Sequence, residues 1–171
     1  VNAVAVFPDG KRVVSASDVA RNVKIWDANT GELKHNLEGE EGHSFVNTVA
    51  VFPDGKRVVS GGTNGVKIWI VDTEETMILS GHSSSVTSVA VFPDGNKVVS
   101  GEMRGEVIIW DANTGQLKHR LMGGREMGGE YYGTVTAVAV FPDGNRVMSV
   151  GNTIKIWDAN TGELKHNLEG S

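Results

Sequence analysis

The chain has 171 residues, 39% of them hydrophobic, and 16 basic against 21 acidic side chains give a formal net charge of −5. That is the composition of one folded domain: no basic excess draws a nucleic-acid backbone, and no apolar run approaches the roughly 18 residues that span a membrane. The absence of cysteine excludes disulfides, thiolate metal sites and cysteine nucleophiles, while leaving the redox compartment open. The opening VNAVAV lacks the basic region and long apolar stretch of a secretory signal, and the absence of a starting methionine leaves room for a preceding segment. A cytoplasmic location is the expectation.

In chain order, the first predicted strand runs into Phe7-Pro8-Asp9-Gly10, where proline presets φ at a turn position and glycine accepts φ > 0 to close a tight hairpin. A valine-rich second strand ends at Ser15, a third carries Trp26, and Asp27–Gly31, reading DANTG, turns the chain into a fourth. The same order then recurs three times. FPDG returns at Phe52–Gly55, Phe92–Gly95 and Phe141–Gly144, at intervals of 45, 40 and 49 residues. Each copy is preceded by a VxxVAV run, starting at Val1, Val46, Val86 or Val135. Ser15, Ser60, Ser100 and Ser149 each follow the phenylalanine by eight residues, and Trp26, Trp69, Trp110 and Trp157 come next. In the second copy the predicted strands are Val46–Phe52, Arg57–Gly61, Val66–Val71 and Thr76–Leu79. DANTG recurs at Asp111–Gly115 and Asp158–Gly162, but copy two reads Ile70-Val71-Asp72-Thr73-Glu74, which predicts a longer third strand there.

Short β-branched runs between turn formers are strands, and no run is long enough for a helix. A period near 45 is that of propeller blades. The fold class is therefore all-β: a β-propeller of four-stranded antiparallel blades, four per chain, spanning approximately residues 1–39, 46–81, 86–123 and 135–170. A four-stranded unit with two apolar faces cannot cover both alone, so the blades must stack in series. All four tryptophans read as core, and Asp9, Asp54, Asp94 and Asp143 as turn residues. If the ring stays open, both end blades expose an apolar face. A two-fold dimer, blade four of each chain against blade one of the other, closes eight blades. A closed four-blade monomer and a piece of a longer propeller are the alternatives.

These units resemble the WD40 repeat family. Gly42-His43 and Gly81-His82 are similar to its Gly-His element, and Trp26-Asp27, Trp110-Asp111 and Trp157-Asp158 to its Trp-Asp element; copy two has Trp69-Ile70. The resemblance implies a buried network of histidine, second-strand serine or threonine, loop aspartate and tryptophan. His43, Ser60 and Trp69 match three of its positions in one unit, and His82, Ser100 and Trp110 in the next. The aspartate's position, six before the tryptophan, holds Ala20, Thr63, Arg104 and Gly151, so every network is expected to be incomplete.

Variation among the copies falls at one end of the blades. Serine-to-tryptophan spacing runs 11, 9, 10 and 8, and the links from each fourth strand to the next unit differ in length, whereas the opposite end is nearly uniform. Variable loops on a rigid scaffold are where binding resides. The candidates are Asp18 and Arg21, Glu40 and Glu41, Met103 and Arg104, and the long insertion with Arg125, Met127, Tyr131 and Tyr132, whose side chains suit interface hot spots. His35, His119 and His166 repeat at one outer-strand position, too far apart on separate blades to form a metal cluster. No motif calls for a cofactor or metal, and no nucleophile–base–orienter set is legible. The expected function is a non-enzymatic scaffold for a protein or peptide partner, with self-association to close the propeller. A small-ligand or carbohydrate-binding propeller, or a duplicated or engineered repeat fragment with no dedicated ligand, is the alternative.

Overall fold

A computed structural model describes residues 1–17, 22–38, 45–122 and 133–169. Among the described residues, sixteen strands form four separate antiparallel sheets, each a simple up-and-down meander. The first blade holds β1 (Ala3–Val6), β2 (Arg12–Ala16), β3 (Val23–Asp27) and β4 (Leu33–Leu37); the second holds β5 (Val46–Val51), β6 (Arg57–Gly62), β7 (Gly65–Ile70) and β8 (Thr76–Leu79). The third holds β9 (Val86–Val91), β10 (Lys97–Glu102), β11 (Glu106–Asp111) and β12 (Leu117–Met122); the fourth holds β13 (Ala137–Val140), β14 (Arg146–Val150), β15 (Ile154–Asp158) and β16 (Leu164–Leu168). The first strand of each blade packs against the first strand of the next. No helix among the described residues is long and apolar enough to cross a membrane.

The turns explain the register. In the first FPDG, the Gly10 amide donates to the Phe7 carbonyl at 2.9 Å and the Lys11 amide to the Asp9 carboxylate at 2.8 Å. Gly10 sits at φ 67°, a left-handed conformation that costs glycine nothing. In DANTG, the Asp27 carboxylate accepts from the Asn29 and Thr30 amides at 2.8 and 3.0 Å. The expected lengthening of the third strand in copy two does not occur at this end. β7 stops at Ile70, level with Asp27, because Glu74 takes φ 60° and turns the chain where the other copies have glycine.

Among the described residues, three hydrophobic clusters hold the blades together, each shared by consecutive blades. Phe7, Ile25 and Leu37 meet Val46, Val58 and Trp69; Phe52, Ile68 and Leu79 meet Val86, Val98 and Trp110; Phe92, Ile109 and Leu121 meet Val135, Val147 and Trp157. No cluster among the described residues joins the fourth blade to the first. The front of the first blade is accordingly bare. Val4 is 71% exposed, whereas its counterparts Val49, Val89 and Val138 are 8, 7 and 9% exposed. Trp26, expected in the core, is half-buried for the same reason: no preceding blade covers it. On the back of the fourth blade Leu168 is 45% exposed, while Leu37, Leu79 and Leu121 are at most 1%.

Candidate functional site

The up-and-down order brings two connections per blade to the same end: the hairpin between second and third strands, and the link into the next blade. At this end Phe45, just ahead of β5, is 51% exposed, and Met103, in the hairpin between β10 and β11, is 53% exposed with Arg104 exposed beside it. Both are held by the backbone. The Thr63 amide donates to the Phe45 carbonyl at 3.1 Å, and the Met103 amide to the Ser85 carbonyl at 3.0 Å. Phe45 has no counterpart in the other links, which is why the repeat pattern did not single it out. Asp18, Arg21, Glu40, Glu41, His43, Arg125, Met127, Tyr131 and Tyr132 lie outside the described residues.

Beneath this end each blade carries one recurrent bond. The tryptophan indole N–H donates to the second-strand serine: Trp26 to Ser15, Trp69 to Ser60, Trp110 to Ser100 and Trp157 to Ser149, at 2.7–2.9 Å. Antiparallel pairing of the second and third strands creates the contact, and burial makes it worth keeping, since an unpartnered indole N–H is costly inside a core.

In the third blade the network is complete, contrary to the expectation from the missing aspartate. The acid is Glu102, at the end of β10 and two residues earlier than the family position. It is 1% exposed, and its carboxylate accepts from His82 Nδ1 at 3.0 Å, the Ser83 amide at 2.9 Å and the Ser84 amide at 3.0 Å. A register shift between Gly101 and Glu102 releases the side chain from the ladder toward the link before β9. His82 Nε2 lies 2.6 Å from Ser100 Oγ. With Nδ1–H given to a carboxylate, neutral His82 accepts the Ser100 hydroxyl proton at Nε2, and Ser100 in turn accepts from Trp110. Arg120 pairs with Glu106 and donates to the Gly81 carbonyl at 3.1 Å, fixing the residue beside His82. The signal in the sequence was a lone glutamate where copies two and four have glycine.

The electrostatics follow from burial. Desolvation pushes His82 below its ordinary pKa, and the neighbouring Glu102 only partly offsets it. For Glu102, burial raises the pKa, but the Ser84 amide, His82 and the Ser83 amide outweigh it and hold the carboxyl below its usual value. In the DANTG turns, amides from Thr30 and Asn29, Thr114 and Asn113, and Thr161 and Asn160 lower Asp27, Asp111 and Asp158 respectively.

Ser100, His82 and Glu102 have the hydrogen-bond connectivity of an acyl-transfer relay, but Ser100 is fully buried and its oxygen is engaged by Trp110 as well as His82. One ligand atom each from His82, Glu102 and Glu106 lies within 4.8 Å of the others, close enough for a cation. Glu102 Oε2 already accepts from His82 Nδ1 and from the Ser83 and Ser84 amides, and Glu106 pairs with Arg120 through its other oxygen, Oε1. In the fourth blade a cavity of about 30 Å³, lined by Gly133, Ser149, Thr153 and Trp157 among others, has room for water but not for a sugar ring.

Serial four-stranded meanders, each locked by a tryptophan-to-serine bond and joined through their apolar faces, make this an all-β repeat protein of the β-propeller class. The family model described as WD domain, G-beta repeat matches the chain four times, over residues 1–27, 31–69, 73–111 and 125–158. The chain belongs to the WD40 repeat family. The second and third matches each start before the fourth strand of one blade and end at the third strand of the next, so the sequence repeat and the blade are out of phase. None of the curated proteins compared with the chain matches it. WD40 repeats generally mediate protein interactions, and their proteins are generally non-enzymatic scaffolds.

Proposed function

We propose that the chain is a non-catalytic scaffold that binds a protein or peptide partner at its variable end, and that it associates with itself to complete the propeller. The observation that supports partner binding is the exposure of Phe45 and of Met103 at that end of adjacent blades, with exposed Arg104 next to Met103 in sequence. An aromatic, a methionine and an arginine held on fixed backbone lose little entropy when a partner covers them. The opposite end repeats one aspartate-stabilised turn, and its exposed Leu33, Ile70, Leu117 and Leu164, at 38–46%, are less exposed than Phe45 and Met103. The loops that hold Asp18, Arg21, Glu40, Glu41, Arg125, Met127, Tyr131 and Tyr132 connect strands at the variable end and belong to the same proposed surface. The proposed setting is the cytoplasm.

Selection of binders from a random peptide library, followed by competition with surface variants, tests this reading. Phe45→Ser, Met103→Ser and Arg104→Glu should each weaken the selected peptides at least tenfold, whereas Asn113→Asp at the uniform end should not. Peptides that are insensitive to the first three substitutions, or lost with the fourth, overturn it.

A further inference from the structure

We infer that the front of the first blade and the back of the fourth are two halves of one junction, and that a second copy of this chain fills each. The inference rests on the self-association proposed above and specifies its surface. Its basis is repetition: the same junction is already built three times inside the chain, and the two bare faces carry its two sets of parts.

The apolar parts match position by position. Each internal junction sets a phenylalanine and a fourth-strand leucine from one blade against valines and the tryptophan of the next. The back of the fourth blade supplies Phe141 and the 45%-exposed Leu168; the front of the first supplies Val4, 71% exposed, and half-buried Trp26.

The polar parts match as well. Asn2 Nδ2 donates to the Val46 carbonyl at 3.3 Å, Asn47 Nδ2 to the Val86 carbonyl at 2.9 Å, and Thr87 Oγ1 to the Val135 carbonyl. Thr136 occupies that position in the fourth blade and bonds within its own sheet, to the Val150 carbonyl at 3.3 Å. Arg12 stacks on Phe7 and donates to the Gly55 carbonyl at 2.9 Å; Arg57 stacks on Phe52 and donates to the Gly95 carbonyl at 3.1 Å. Arg146 stacks on Phe141 in the same pose, its guanidinium 4.2 Å from the ring centroid, at the edge where the next blade's turn would lie. The receiving turns are uncovered. A Cβ at Gly10 or Gly31 would meet nothing within 4 Å, whereas at Gly55 it would meet Arg12, and at Gly162 His119 of the preceding blade.

A front fits a back and not another front, so the junction is directional. Two copies that join reciprocally leave no bare face, and the assembly closes at eight blades. One departure bears on the fit. Val150 stands where Gly61 and Gly101 admit the next blade's first valine, with a Cβ there only 2.5 and 2.4 Å from Val86 and Val135. The first junction already carries the larger Ala16 at this position, and the valine that the closing junction would seat there, Val1, is 79% exposed.

The test is the mass of the 171-residue chain by light scattering across a concentration series, with three variants checked for retained β-structure. Val4→Glu charges the front, Leu168→Glu the back, and Ile78→Glu an exposed outer-strand site on neither face. The expected result is a dimer of twice 18.3 kDa, about 37 kDa, for the parent and Ile78→Glu, and a monomer for Val4→Glu and Leu168→Glu. A parent that stays monomeric at every concentration overturns both the junction and the self-association. A dimer that survives both face variants, falls apart with only one of them, or is lost with Ile78→Glu leaves self-association standing and overturns the junction. A mass that climbs past the dimer overturns two-copy closure.

Discussion

The third and fourth blades share their turn motifs and the tryptophan-to-serine bond, yet differ at the variable end. In the third, His82 and Glu102 continue that bond into a buried relay that ties β10 to the link before β9. In the fourth, Gly151 stands where Glu102 would be, Thr153 Oγ1 has no partner among the described residues, and a cavity of about 30 Å³ lies beside Trp157. The difference separates two layers of construction. Strand pairing alone delivers the indole to the serine; anchoring the inter-blade link needs a histidine and an acid in addition.

The largest effect expected from breaking this comparison is the loss of the indole. Trp110→Ala should destabilise the chain by about 3–5 kcal/mol, and Trp157→Ala should fall at the lower end of that range. The ranking follows because Trp110 is fully buried and its loss also strips a donor from Ser100, which His82 shares. Urea unfolding midpoints at constant slope would measure it; equal losses would show that the relay adds nothing to the third blade.

Next comes the acid itself. Glu102→Ala leaves His82 Nδ1 and the Ser83 and Ser84 amides without their acceptor, a loss of about 1–3 kcal/mol. Amide exchange should accelerate at Ser83 and Ser84 and stay unchanged at Gly151 in the fourth blade. A uniform rise across both blades would mean that the substitution loosens the fold rather than one link.

The legibility of these features in the sequence divides along the same line. The constant eight residues from phenylalanine to serine carried the blades and the turns, and the family resemblance implied serine partners for Trp69 and Trp110; the antiparallel ladder repeats that bond in the other two blades. Glu102 was not legible. The family's acid position holds Arg104, and only a strand irregularity together with glutamate's longer side chain lets an earlier residue reach His82. Trp26 was read as core because the repeat treats all copies alike; its exposure depends on a neighbouring blade, which no property of the copy itself records.

A pH series would sharpen the comparison, since the third blade's relay holds a histidine and a carboxylate whose pKa values are both depressed. Burial lowers His82 from 6.5, so the unfolded chain binds the proton first and stability declines as pH falls below about 6.5 toward the folded value. Glu102 is also lowered, from 4.5, so a second loss begins as pH falls below that unfolded value. His82→Gln should remove the upper decline and leave the lower one. An unchanged profile in the variant would assign the upper decline to other groups.

The smallest expected effect lies in a turn, and it runs toward greater stability. Glu74 holds φ 60°, the position where Gly31, Gly115 and Gly162 sit at 74–77° in the other blades. A side chain in the left-handed region costs roughly 1 kcal/mol or more, and glycine escapes it. What Glu74 contributes in return is a contact with His35 at 3.5 Å between partly exposed groups, which is worth little in water. Glu74→Gly should therefore raise stability by roughly 1 kcal/mol, less the entropy that glycine adds to the unfolded chain. A measured loss would make the His35 contact the stronger influence and would show that the second blade's departure from DANTG secures its junction with the first.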